Sequence, residues 1–146
     1  MFVPVLDGPN ARQHANEAVS ATTLLSIVKL QSSYAAAHPM IGFACELPRL
    51  KSQEPVKNGY LNEDKFLMTG ERAGYRFAIA GCRADVNGVV THYQLTAVPR
   101  EPGKSGIRAF CTDESAQLWY DSAGSSVNCL TSRHQLSLLY VRHKVG

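Results

Sequence analysis

Between Asn10 and Ala37 the chain contains neither proline nor glycine and draws heavily on alanine and leucine. Such a stretch predicts one long helix, because nothing in it interrupts the backbone hydrogen-bond ladder. Pro39 marks its end. At 1.5 Å per residue a helix over 10–37 would run about 42 Å, longer than a small domain needs, so it is expected to project from its own domain. Ala18, Ala21, Leu25, Val28 and Ala35 recur at three-, four- and seven-residue steps, and Leu24, Ile27, Leu30 and Tyr34 widen that apolar stripe. One broad face therefore asks to be covered.

What covers it is expected further along the chain. Residues 38–74 form a connector with Pro39, Pro48 and Pro55 and few apolar anchors, in which 62–70 reads as a short helix with Asn62 as cap and Gly70 as stop. After Gly74 the period becomes two. Tyr75, Phe77 and Ile79 alternate with Arg76, Ala78 and Ala80, and over 89–98 Tyr93, Leu95 and Ala97 oppose His92, Gln94 and Thr96. Asn87-Gly88 between these runs predicts a two-residue type I′ hairpin, since both central positions of that turn need positive φ. Residues 107–111 and 117–120 predict two more strands, separated by a turn at Asp113-Glu114-Ser115-Ala116. The fold class is thus α+β, a long N-terminal helix packed on an antiparallel sheet of about four strands. With 146 residues the chain suits one domain, a helical spine over 1–37 and a globular head over 38–146.

The four cysteines, Cys45, Cys82, Cys111 and Cys129, include no C-x-x-C pair of the kind zinc knuckles and redox motifs use. Their even number and wide spacing suit two structural disulfides in an oxidising compartment, and four buried free thiols are the alternative. Three pairings are open. Cys45–Cys82 with Cys111–Cys129 is favoured because each then closes one compact loop, worth about 3 kcal/mol in the chain-entropy view. A disulfide would pin the Ser- and Gly-rich tail after Ala123.

A composition of 45% hydrophobic and 18% charged residues argues against disorder. The formal charge of +3 is small and its lysines and arginines are scattered along the chain, so no nucleic-acid partner is expected. His14, His38, His92, His134 and His143 form no metal or protease motif, and no G-x-S-x-G or phosphate-binding glycine loop occurs, so no catalytic residue is assigned. No cofactor is expected. Calcium would find oxygen ligands at Asp113 and Asp121, with Glu114 and Asn128, if the two turns converged, but the spacing fits no known loop and acidic turn residues usually serve backbone donors. Trp119-Tyr120 beside Arg108 could form a binding patch on the head.

Several strings, taken in order, are similar to the type IV pilin family. Val3-Pro4 and then Ala15-Asn16-Glu17-Ala18 resemble the stretch where the pilin helix leaves the bilayer, and Leu24 to Tyr34 continues the match. Ala73-Gly74-Tyr75-Arg76-Phe77 resembles the first strand, Tyr93 to Pro99 the second, and Gly106-Ile107-Arg108-Ala109-Phe110-Cys111-Thr112-Asp113-Glu114-Ser115 the third strand and its turn. The likeness runs from Val3 to Asp121. It implies a structural subunit of a type IV pilus-like extracellular filament that assembles by helix packing, with copies of itself and the inner-membrane pilus or secretion machinery as partners. It also implies storage in the inner membrane with the head in the periplasm before assembly at the cell surface. Phe2, Val5 and Leu6 are expected at the helix–helix seam, with Ala11, Ala15 and Ala18 allowing close approach.

The family's leader and most of its apolar helix lie upstream of what is written here, so Met1 is expected to be an artificial start. The chain as given, with no window of about 20 apolar residues and no export signal, is expected to be soluble. Two other readings stay open: a pseudopilin of a type II secretion system, and a small secreted ligand-binding module.

Overall fold

The computed structural model describes residues 9–53 and 64–136. Helix α1 spans Pro9–Ala37 and lies against one face of an antiparallel meander. The sheet has six strands and not about four: β1 (Glu71–Arg72), β2 (Tyr75–Ala84), β3 (Val90–Pro99), β4 (Ala109–Asp113), β5 (Trp119–Asp121) and β6 (His134–Gln135), hydrogen-bonded in sequence order. The two extra strands are the edges, each two residues long, too short for a period-two pattern to announce them. Short edges also limit the unpaired backbone offered to other chains.

The alternation read from β2 and β3 sets their faces. Tyr75 and Phe77 of β2, Tyr93, Leu95 and Ala97 of β3, and Phe110 of β4 form one core with Ala21, Leu24, Ile27, Leu30 and Tyr34 of α1. The buried face of α1 is broader and more polar than the predicted stripe. Gln13, Glu17, Ser20, Thr23 and Gln31 are buried on it, whereas Leu25 and Ala35 are half-buried. Nor does α1 project as expected among the described residues, because the 100–108 loop reaches it as early as Gln13.

Two connections differ from expectation for a common reason, the sign of φ. Of Asn87-Gly88 only Gly88 has positive φ, at 84°, so this is not a type I′ turn. Asp85 and Val89 instead close a three-residue loop through the Asp85 N–H to Val89 O bond of 2.8 Å, and the Asp85 carboxylate accepts from the Asn87 and Val89 amides. The two-residue turn with both φ values positive lies between β1 and β2, at Ala73 (51°) and Gly74 (75°). An alanine held left-handed costs about 1 kcal/mol. Replacing Ala73 by asparagine, which tolerates that conformation, is expected to raise stability by about 1 kcal/mol in urea unfolding. An unchanged or lower midpoint would show that the turn is not strained.

The connector carries a 3₁₀ helix (Leu47–Gln53) and α2 (Asp64–Thr69), stopped as predicted by Gly70 with φ 74°; Asn62 lies outside the described residues. Ahead of them Gly42 meets Val90 so closely that an added Cβ would collide with the Val90 carbonyl, and its φ is 87°. This approach lets Val90 bond to Ile41 O and Phe43 N, so residues 41–43 take the flank of β3 that the shorter β4 leaves open. A third helix, α3 (Ser126–Ser132), was not legible in advance. Ser125 caps it, its hydroxyl accepting from the Asn128 amide, and it covers the far face of β4 and β5.

Candidate functional site

All four cysteines are paired, as Cys45–Cys82 and Cys111–Cys129. The first bond ties the exposed end of the 38–45 turn to the bulged part of β2. The second is wholly buried and, with Trp119, forms a small core between the sheet and α3, separate from the one under α1. β4 is therefore covered on both faces. The residues before α3 and the helix itself are fixed to the sheet by this bond and by Asp121, whose carboxylate accepts from the Ala123 and Ser125 amides.

Three side chains on the first turns of α1 decide how the spine is held. Gln13 donates to the Gly103 carbonyl, Asn16 donates to the Ser105 carbonyl at 2.9 Å, and Glu17 Oε2 accepts from the Ile107 and Arg108 amides at 3.0 Å each. Spaced three and four apart, they form one helix face, and an observer of sequence alone would assign that face to solvent. The Tyr75 hydroxyl continues the fastening by donating to the Arg108 carbonyl at 2.6 Å, with Gly106 packed against its ring.

The predicted seam residues are divided by this arrangement. Ala18 is 1% exposed and belongs to its own domain's interior, which leaves it no surface for a neighbour. Ala11 is half-buried, and Ala15 is exposed beside Arg12 and His14. Phe2, Val5 and Leu6 lie outside the described residues. Among the described residues no helix is long and apolar enough to cross a membrane.

The two turns offered for calcium do not meet. The β4–β5 register pairs Ala109 with Asp121 and Cys111 with Trp119, so Asp113 and Asp121 stand at opposite ends of the hairpin. Asp113 accepts from the Ser115 amide instead, as acidic turn residues do. Among the described residues no three candidate metal ligands gather. Trp119 and Tyr120 also part company. Trp119 is covered by the Arg133 guanidinium, 4.8 Å from its ring centre, while Arg108 lies over Tyr120 at 5.3 Å.

A cleft of about 270 Å³ lies on the outer side of the sheet, lined by Arg83, His92, Gln94, Asp113, Glu114 and Arg133 among others. His92 Nδ1 sits 2.8 Å from Glu114 Oε2, and the Tyr93 amide donates to Oε1 at 3.3 Å. Burial alone would raise the Glu114 carboxyl, but these bonds and the His92 charge outweigh it and hold the group below its ordinary value of 4.5. Burial, then the nearby charges of Glu114 and Asp113, push the Tyr93 phenol well above its usual range. The cleft therefore offers a locked carboxylate and imidazole, while the Tyr93 phenol lies buried in the core on the other face of β3.

No protein-family profile, curated protein or solved structure matches this chain.

Glu114 makes a pH prediction. A carboxyl with a lowered folded pKa stabilises above its unfolded value, and that contribution disappears as pH falls through the folded one. The melting temperature of wild type is expected to fall more steeply below pH 4.5 than that of Glu114→Gln. Parallel curves for the two proteins would contradict the assignment.

Proposed function

We propose that this protein is the head of a structural subunit of a type IV pilus-like extracellular filament, and that its architecture is a pilin-like one. The observation that supports this most is the one-sided clothing of α1. The head covers the helix along the face from Gln13 to Tyr34, while Arg12, His14 and Ala15 stay open on the first turns. An N-terminal helix fastened on one side and bare on the other can pack against copies of itself, and a head-to-tail contact of that sort generates a helical fibre. Two disulfides suit such a head outside the reducing cytosol. In this reading the head waits in the periplasm while the subunit is held in the inner membrane, and the assembly machinery delivers it to the surface.

The seam then begins at Ala11 and Ala15 and excludes Ala18. Cells of the source organism carrying an Ala15→Cys variant test it. Sheared surface fibres are expected to contain the protein, and a thiol cross-linker should convert it to a ladder of multimers. Fibres that persist unchanged after deletion of the gene, or an Ala15→Cys protein that the cross-linker leaves only as monomer, would sink the proposal.

A further inference from the structure

The two disulfides stand in opposite surroundings. Cys111 lies mid-strand, paired with Thr96 on one side and Trp119 on the other, and both it and Cys129 are 0% exposed. A thiol reaches that bond only after α3 and the sheet part. Cys45, by contrast, is exposed and Cys82 is half-buried. Each half of the Cys45–Cys82 bond borders its own cavity: Cys45 a groove of about 230 Å³ shared with Leu47, Pro48, Met68 and Ile79, and Cys82 the outer cleft of about 270 Å³ shared with Arg83 and His92.

The backbone at Cys82 can move at little cost to the sheet. Ala80 pairs with Gln94 and Arg83 with His92, so Gly81 and Cys82 together stand opposite Tyr93, and neither has a ladder partner. Gly81 takes φ 61° in this bulge, where an added Cβ would strike the Gln94 side chain. The far end of the bond is held by other means. Val90 donates to the Ile41 carbonyl at 2.9 Å and accepts from the Phe43 amide at 3.0 Å, Gln31 holds Ala44 by two hydrogen bonds, and the Phe43 ring meets Tyr93 edge-on at 4.8 Å. Separating the sulfurs therefore breaks no strand pairing and leaves the turn in place. Arg83, next in the chain to Cys82, holds no ion pair or hydrogen bond among the described residues, whereas Glu114 in the same cleft is taken by His92 and Asp113 by the Ser115 amide. A free guanidinium beside a sulfur favours its thiolate.

We infer that Cys45–Cys82 is a reversible modification site, opened by a low-molecular-weight thiol that becomes joined to Cys45. The incoming thiolate attacks Cys45 Sγ, on the exposed half, and the S–S electron pair leaves on Cys82 Sγ beside Arg83, giving a mixed disulfide at Cys45 and a thiolate at Cys82. A second thiolate attacks the outer sulfur of the mixed disulfide, frees Cys45 and departs as the small-molecule disulfide. The two cysteine thiolates take up the protons that the two small thiols gave up. The small disulfide, run through the same steps backwards, closes the bond again. Access and a stabilised leaving thiolate both speed such exchange, and the buried Cys111–Cys129 bond lacks the first. The inference does not depend on the filament reading.

The test uses the full chain in native buffer with reduced glutathione, quenched at intervals by an alkylating agent and mapped by peptide mass spectrometry. Cys45–Cys82 is expected to open at least about tenfold faster than Cys111–Cys129, because exposed bonds are the labile ones, with glutathione found on Cys45. Ellipticity and Trp119 emission should stay as they were, and oxidised glutathione should reclose the bond. Arg83→Ala should slow opening by about threefold or more and Arg83→Lys should restore it, at an unchanged melting temperature, since the cation acts on the leaving sulfur. Equal rates for the two bonds, resistance of both until urea unfolds the chain, glutathione chiefly on Cys82, or an Arg83→Ala rate equal to wild type would overturn the inference.

Discussion

A C111A/C129A double variant is expected to lose about 3 kcal/mol of stability in urea unfolding, the loop-closure entropy of a bond joining residues 18 apart. Alanine rather than serine keeps hydroxyls out of a site where both positions are 0% exposed. The structural consequence should be local. α3 leans on the sheet through Cys129 and Trp119, and Val127 on its outer side is 71% exposed, so little else holds it. Trp119 is the only tryptophan in the chain, so its fluorescence reports on this corner alone. A red-shifted emission with far-ultraviolet ellipticity largely kept would show α3 released from an otherwise folded head. A loss below about 1 kcal/mol, with emission unchanged, would mean that the helix is held by its cap and not by the bond.

The same corner shows why part of the fold could be read from sequence and part could not. β2 and β3 were legible because Tyr75, Phe77, Tyr93, Leu95 and Ala97 alternate with polar or small neighbours over many residues. α3 has one buried residue, Cys129, and ends on Arg133 at φ 54° where a glycine would have signalled the stop. It therefore has neither an apolar stripe nor a punctuating residue. Asn87-Gly88 misled for a related reason: its dipeptide suits a type I′ turn, but the Asp85 side chain supplies acceptors that favour a longer loop. The Ala73-Gly74 turn that does have this form is hidden by an alanine at a strained position. The functional surfaces were obscured by distance along the chain. Gln13, Asn16 and Glu17 meet partners some ninety residues away. Side-chain polarity alone cannot tell a solvated face from one that fastens a loop.

Gln31 carries that point into the core and gives the second large effect. It sits at 0% exposure on the face of α1 that meets the connector, where an apolar residue would be the ordinary choice. Its amide works as a strand would: Nε2 donates to the Ala44 carbonyl at 2.8 Å and Oε1 accepts from the Ala44 amide at 2.8 Å. Ala44 is itself only 2% exposed and lies between the Gly42 contact with Val90 and the Cys45–Cys82 bond, so water cannot readily replace the side chain. Gln31→Leu keeps the approximate volume and strands a buried N–H and C=O together. Each orphaned group costs about 1–3 kcal/mol, so the variant is expected to lose about 3 kcal/mol despite its gain in apolar character. Hydrogen exchange at the Ala44 amide should accelerate in step, since that amide loses its only acceptor among the described residues. Full stability with an unprotected Ala44 amide would show that the connector is free to detach from α1, which would then be held by its apolar face on the sheet and by Gln13, Asn16 and Glu17.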